Sequence, residues 1–179
     1  GRRRSAWFSA YVTTVIDRLV EDVAKIERVS AMPQLVSLSA ARTGGELNVS
    51  ALSQDLGMRG QTLSGYIAHL QTVFVLQLVP AWSRNASAKA VRRPKLVMVD
   101  SGLAAHLLGV DADRLTQPDS PAGQLLESFV AMEIRKQLGW SDADPRMHHF
   151  RDRDGAEVDI VLETRDGRVA GIEVKAAST

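Results

Sequence analysis

The sequence has no cysteine, which excludes disulfides and thiolate metal sites and fits a reducing, cytoplasmic environment. It also has no apolar run of transmembrane length and no recognisable signal peptide, so we expect no membrane partner. Neither sign of charge dominates: 22 Lys and Arg oppose 21 Asp and Glu, and the net charge of +1 does not by itself call for nucleic acid. The 179 residues, 45% of them hydrophobic, suffice for one or two packed domains.

The clearest pattern lies in residues 156–175, where apolar and polar side chains alternate. Such alternation predicts two half-buried strands joined by a tight turn. A two-residue loop would put the charges of one strand on the apolar face of the other. A three-residue loop with Gly167 in the left-handed conformation keeps the faces aligned, so we predict that loop. Its register places Asp159 opposite Glu173.

This register gathers a charged patch consisting of Glu157, Asp159, Glu173 and Lys175. Neighbouring carboxylates repel one another unless a cation lies between them, and hard oxygen ligands suit Mg²⁺ or Mn²⁺. An adjacent ammonium suits a phosphate or an activated water. The alternative is an exposed hairpin with solvated, cross-paired charges, as is common on the outer face of an antiparallel sheet.

The N-terminal two thirds of the sequence are predicted to be helical, with a two-stranded ribbon at the end. Helical spacing of apolar residues predicts a helix over residues 5–29, and a second helix begins at Pro33. The basic arm before the first helix is either solvated or in contact with phosphate. A short helix at 51–56 and another through Leu70 then resemble a helix-turn-helix. Strands at 73–79 and 95–99 complete an arrangement that looks like a winged helix.

The loop between those two strands is basic, because no acidic residue occurs from Ala81 to Val99. We predict that this wing and the second helix contact a DNA backbone, since clustered positive charge is the footprint of phosphate binding. Protein contact alone is the alternative. The candidate nucleic-acid-binding residues are Arg84, Lys89, Arg92, Arg93, Lys95, Arg59 and Thr62.

A polar stretch at 111–121 predicts a boundary between two regions, 1–110 and 120–179. After it, a widely apolar helix is predicted over 123–138 and a strand over 146–150. Glu127 lies on that helix. It is either a solvated side chain or, if the helix packs on the hairpin, a further carboxylate at the charged patch.

Taken in order, these features resemble one family, the C-terminal region of prokaryotic AAA-type ATPases that carry a domain of unknown function. The resemblance spans nearly all of the chain, and Asp159 followed by Glu173-Val174-Lys175 also resembles the signature of PD-(D/E)XK nucleases. The other matching stretches are Trp7-Phe8-x-x-Tyr11, Leu47-Asn48-Val49-Ser50, Leu56-Gly57 through Thr62-x-x-x-Tyr66-Ile67, Pro94-Lys95-Leu96, Asp100-x-Gly102-Leu103, Gly123 to Glu127, Arg151 and Glu157-Val158-Asp159.

The resemblance implies a metal site and its chemistry. Metal ligands would be Glu127, Asp159, Glu173 and the carbonyl of Val174, with Mg²⁺ or Mn²⁺ as cofactor. Lys175 would act with Asp159 and Glu173 in catalysis, orienting water or stabilising developing charge. ATP would bind only in an ATPase region outside this sequence, which contains no P-loop motif.

The resemblance also sets the expected fold and partners. We expect a mixed α/β chain of the α+β type, with a helical, winged-helix part followed by a nuclease-like part that ends before its core is complete. The partners would be DNA, the ATPase domain of the same protein, and a protein partner or a second copy of the chain. The function is either a metal-dependent DNA nuclease module or an inactive DNA-binding or protein-interaction module.

Overall fold

The computed structural model describes residues 2–22, 31–84, 92–152 and 154–176. It is a mixed α+β structure with two small antiparallel sheets, which confirms the expected fold class. The elements are α1 (Arg2–Asp22), α2 (Met32–Ala41), α3 (Val49–Leu56), α4 (Gly60–Thr72), β1 (Leu76–Val79), β2 (Lys95–Met98), α5 (Ser101–Leu107), α6 (Ala112–Leu115), α7 (Ala122–Leu138), β3 (Arg146–Arg151), β4 (Glu157–Glu163) and β5 (Val169–Ile172).

The helix pair expected before the ribbon is present as α3 and α4. The side chain of Asn48 accepts a hydrogen bond of 3.1 Å from the backbone N–H of Ala51, which caps the start of α3. Gly57 ends α3 in the left-handed conformation, with a φ of 58° that glycine adopts at little cost. The turn chemistry read from the sequence therefore sets both ends of α3.

The N-terminal boundaries differ from the prediction in two places. The helix α1 begins at Arg2, so residues 2–4 are its first turn rather than a separate basic arm. The strand β1 begins only at Leu76, because α4 runs to Thr72 and Phe74 has a φ of 56°, which breaks an extended strand. Residues 23–29 of the predicted first helix lie outside the described part of the chain.

The predicted hairpin is confirmed with its register as far as Ile172. Strand β5 ends there, so the expected pairing of Asp159 with Glu173 lies beyond the ladder, and the Asp159 side chain accepts from the Val174 N–H instead. Strand β4 pairs with β5 from Ile160 opposite Ile172 to Glu163 opposite Val169, and β3 pairs with the other edge of β4. The loop consists of residues 165–167, and Gly167 has a φ of 83°. A three-residue loop with a left-handed glycine therefore aligns the apolar faces as the alternation required.

The ribbon of β1 and β2 joins the two parts of the molecule. Leu76, Leu96 and Met98 pack with the N-terminal helices, whereas Val79 and Val97 pack with α7 and the three-stranded sheet. Just beyond the ribbon, the N–H of Trp82 donates to the carbonyl of His149 at 2.6 Å. Residues of β2 consequently face both parts of the chain. Within the described ranges no helix is long and apolar enough to cross a membrane.

Candidate functional site

A buried lysine lies at the centre of the charged residues. Lys95 begins β2, and its side chain is only 4% exposed. Its Nζ donates a hydrogen bond to Glu127 Oε1 on α7, and it lies 3.5 Å from Glu157 Oε1 and 3.7 Å from Asp159 Oδ1 on β4. The ammonium of the N-terminal part is thus surrounded by three carboxylates of the C-terminal part.

Lys95 is held in this position by backbone pairing on both sides. It pairs with Val79 of β1, and its other edge forms a bridge with Glu46. The following residues of β2, Leu96 to Met98, are buried as well. Its backbone is fixed and its neighbours are apolar, so the side chain reaches a polar environment only by extending towards α7 and β4.

The carboxylates differ in how far they are shielded from water. The side chains of Asp159 and Glu127 are 11% and 17% exposed, whereas that of Glu157 is 35% exposed. Burial raises the pKa of the Glu127 carboxyl, and the nearby Lys95 ammonium opposes that shift. Arg151 supplies a second positive charge at the rim, 3.7 Å from Glu157. The interior of the cluster therefore depends on one cation for charge compensation.

A chain of buried hydroxyl groups fixes α7, and with it Glu127, against β2. The N–H of Met98 donates to Thr43 Oγ1 at 2.9 Å, and the Thr43 and Ser128 hydroxyls are 2.8 Å apart. The Ser128 hydroxyl donates to the carbonyl of Gln124 at 2.9 Å, so Thr43 is the donor in the middle bond. The three bonds therefore link β2 to α7, the helix that carries Glu127.

The residues after β5 approach the cluster in a different way from that implied by the resemblance. The N–H of Val174 donates to Asp159 Oδ2 at 2.8 Å, so Val174 meets Asp159 through its amide. Glu173 and Lys175 pair with each other at 2.5 Å, with side chains 44% and 76% exposed. This hydrogen bond raises the pKa of the Lys175 ammonium. The structure thus brings Glu127 and Asp159 together and leaves the pair of Glu173 and Lys175 at the surface beside them.

In this arrangement, no group of three His, Asp or Glu side chains within the described ranges is spaced to hold a metal ion. The donor chemistry nevertheless fits one, because carboxylates from Glu127, Glu157 and Asp159 converge on a single cation and hard divalent ions take oxygen ligands. The cation that they contact here is the ammonium of Lys95.

The predicted nucleic-acid residues fall into separate groups. The side chains of Arg84, Arg92 and Arg93 are exposed, and Arg92 donates to the carbonyl of Arg151 at 3.1 Å. The C-terminal end of the basic loop therefore lies beside the end of β3, where Arg151 pairs with Glu157. Lys95 does not share this exposed surface, since its buried side chain binds the carboxylates.

On the helix pair, Arg59 is exposed at the start of α4 and Thr62 is half-buried within it. Lys89 lies outside the described residues.

The central position of Lys95 was not predicted from the sequence, although the residues that follow it indicate a buried environment. Lys95 stands directly before an uninterrupted apolar run, Leu96-Val97-Met98, of the kind that forms a strand buried on both faces. A lysine at the start of such a strand requires a carboxylate partner, because a charged side chain is rarely buried unpaired. Because Lys95 also belongs to a stretch of basic residues, its side chain was predicted to lie at the exposed surface.

Two family models match consecutive parts of the chain. Residues 1–114 match a family described as a domain of unknown function (DUF8612), and because they are more than half of the chain, the chain belongs to that family. Residues 122–179 match a second domain of unknown function (DUF4143). The two matches leave residues 115–121 between them.

Two curated relatives match over 176 residues at 28% identity. They are the uncharacterized protein Rv2008c of Mycobacterium tuberculosis and the uncharacterized protein Mb2031c of Mycobacterium bovis. The match covers 98% of this chain but only 38% of the length of each relative. No solved structure matches the chain. These names state no activity, and the function is therefore inferred from the site.

Proposed function

We propose that the chain is a DNA-associated module of a larger AAA-type ATPase and that its carboxylate cluster is a metal-dependent phosphodiesterase site. The observation that carries the proposal is the convergence of Glu127, Glu157 and Asp159 on one cation. Phosphodiester hydrolysis by Mg²⁺ enzymes uses such carboxylates to hold the ion. The ATPase assignment rests on the resemblance described above.

The carboxylates, Val174 and Lys175 would have different roles at this site. Glu127, Glu157 and Asp159 would hold the ion, and the ion would supply Lewis acidity and activate a water. Val174 keeps the Asp159 carboxylate in place through its amide. The exposed Lys175, which is paired with Glu173, would contact a phosphate or a water molecule at the rim of the cluster.

The position of the basic wing supports a DNA substrate. Arg92 and Arg93 are exposed, and Arg92 is hydrogen-bonded to the end of β3 whose Arg151 contacts Glu157. A phosphate backbone bound by the wing would therefore run past the carboxylate cluster. Arginines that bind phosphates in this way position a nucleic acid without reading its sequence.

A second candidate function is an inactive DNA-binding module. It is favoured by the ion pairs already present at the site, because Lys95 contacts all three carboxylates and Glu173 binds Lys175. An internal cation in the cluster allows the fold to form without a metal ion.

Calorimetric titration of Mn²⁺ and Mg²⁺, with nicking of supercoiled DNA followed in parallel, separates the two functions. We expect metal binding and nicking in the chain, and loss of both in Asp159→Asn, which keeps an acceptor for the Val174 N–H. Asp166→Asn changes an exposed carboxylate in the hairpin turn and is the matched control.

Retention of both activities in Asp166→Asn and their loss in Asp159→Asn would support the nuclease function. Metal binding without nicking would favour the inactive module. If neither ion binds, the carboxylate cluster is not a metal site and the catalytic proposal fails.

A further inference from the structure

We infer that Lys95 is an exchangeable internal cation: its ammonium occupies the carboxylate cluster when no divalent ion is present, and a divalent ion must displace it. The inference rests on the proposed function and adds a regulatory residue to the same site. It follows from the contacts of Lys95 Nζ with Glu127, Glu157 and Asp159, which come from two different elements.

The two cations exclude each other for reasons of space and charge. Mg²⁺ binds carboxylate oxygens at about 2.0–2.1 Å and requires them on several sides. Lys95 Nζ already hydrogen-bonds Glu127 and lies 3.5 and 3.7 Å from the other two carboxylates. An ion centred among the same oxygens would meet an ammonium of like charge at close range in a poorly hydrated site. Binding of one cation at the carboxylate cluster therefore weakens binding of the other cation.

The exchange couples the two parts of the molecule, because the competing groups belong to different parts. Lys95 is carried by β2, whose backbone is held by β1 and Glu46, while the carboxylates are carried by α7 and β4. A displaced Lys95 loses its tie to the C-terminal part. Because coupling between sites is reciprocal, any change that withdraws Lys95 also strengthens metal binding.

The basic wing is connected directly to this exchange. Arg92 and Arg93 precede Lys95 by three and two residues, and His149 Nε2 donates to the Arg93 carbonyl at 3.1 Å. Phosphate binding by these exposed arginines would therefore take place two and three residues before Lys95. This proximity places the wing next to the ammonium that exchanges.

The test compares Mn²⁺ affinity in three proteins by calorimetry. Lys95→Met removes the ammonium and keeps an unbranched side chain in the buried position. Lys136→Met is the matched control, since Lys136 also donates to a glutamate of α7, Glu133, but at an exposed position. We expect Lys95→Met to bind Mn²⁺ at least about 10-fold more tightly than the unchanged chain, and Lys136→Met to bind it equally.

A second measurement needs no variant and applies even if Lys95→Met does not fold. The buried ammonium of Lys95 should give a protected side-chain ¹⁵N–¹H signal in NMR spectra of the metal-free chain. Saturating Mg²⁺ should shift this signal or abolish it as the ammonium leaves the cluster.

The outcomes distinguish this inference from the proposed function. Equal Mn²⁺ affinity in all three proteins, or a Lys95 signal unchanged at saturating Mg²⁺, would overturn the exchange and leave the metal site intact. Absence of metal binding in every protein would remove both the metal site and the exchange.

Discussion

At the scale of single residues, the sequence identified the charged side chains but not the environment of all of them. Asp159 and Glu127 both lie beside the Lys95 ammonium, which matches one of the two interpretations of Glu127. Lys95 and Thr43 could not be assigned in the same way, because their importance comes from contacts between segments far apart in the chain. Thr43 contacts Ser128, 85 residues further on, and no periodicity reveals such a contact.

The buried hydroxyl of Thr43 should contribute more to the free energy of unfolding than a surface hydroxyl does. In Thr43→Val the N–H of Met98 loses its acceptor and the Ser128 hydroxyl loses its donor, while the volume is nearly unchanged. We expect the free energy of unfolding to fall by about 1–3 kcal/mol. Urea denaturation measures this, with Thr72→Val as control, since the Thr72 hydroxyl is exposed and bonds only within α4. Equal effects in the two variants would contradict the structure.

At the scale of helices and strands, the sequence predicts those features that depend on residues close together in the chain. The alternation of apolar and polar residues, together with Gly167, determines the register of the hairpin. Asn48 and Gly57 determine the two ends of α3. The predicted start of β1 was wrong because residues 73–75 have strand-forming side chains, whereas the left-handed backbone at Phe74 closes the turn after α4. Tertiary structure overrides propensity at such a junction.

The hairpin turn provides a test at this scale. Gly167 has a φ of 83°, so Gly167→Ala introduces a side chain into the left-handed region and should cost about 1–2 kcal/mol of folding free energy. Gly123→Ala is the control, because Gly123 lies in α7 with open space around it and alanine favours a helix. Thermal unfolding should show a lower midpoint only for Gly167→Ala. A midpoint unchanged in Gly167→Ala would rule out the left-handed turn.

At the scale of the whole molecule, the two regions meet around the ribbon of β1 and β2, which contributes apolar side chains to both. The sequence indicated a boundary near residues 111–121 but not this shared ribbon. Packing between segments that are distant in the chain depends on shape and volume, which the pattern of one sequence does not encode. The basic wing is placed on the C-terminal region by the same ribbon, through Trp82 and His149.

Salt dependence of DNA binding tests the wing as a phosphate-binding surface. Changing Arg92 and Arg93 together to Gln should weaken binding and lower the slope of log K against log salt by about 0.9 for each phosphate that is no longer neutralised. A matched variant changes Arg165 and Arg168, which are exposed at the hairpin turn, to Gln. If both double variants bind DNA with the slope of the unchanged chain, the wing is not a phosphate-binding surface.

The central claim is that the Lys95 ammonium binds the carboxylates of the opposite region, and a double-mutant cycle tests it most directly. Lys95→Met alone should cost about 3–5 kcal/mol of unfolding free energy, because it leaves buried carboxylates without their cation. Combined with Glu127→Gln, it should cost less than the sum of the single changes, with a coupling of about 0.5–3 kcal/mol. Costs that add to within about 0.3–0.5 kcal/mol would contradict a direct contact between Lys95 and Glu127.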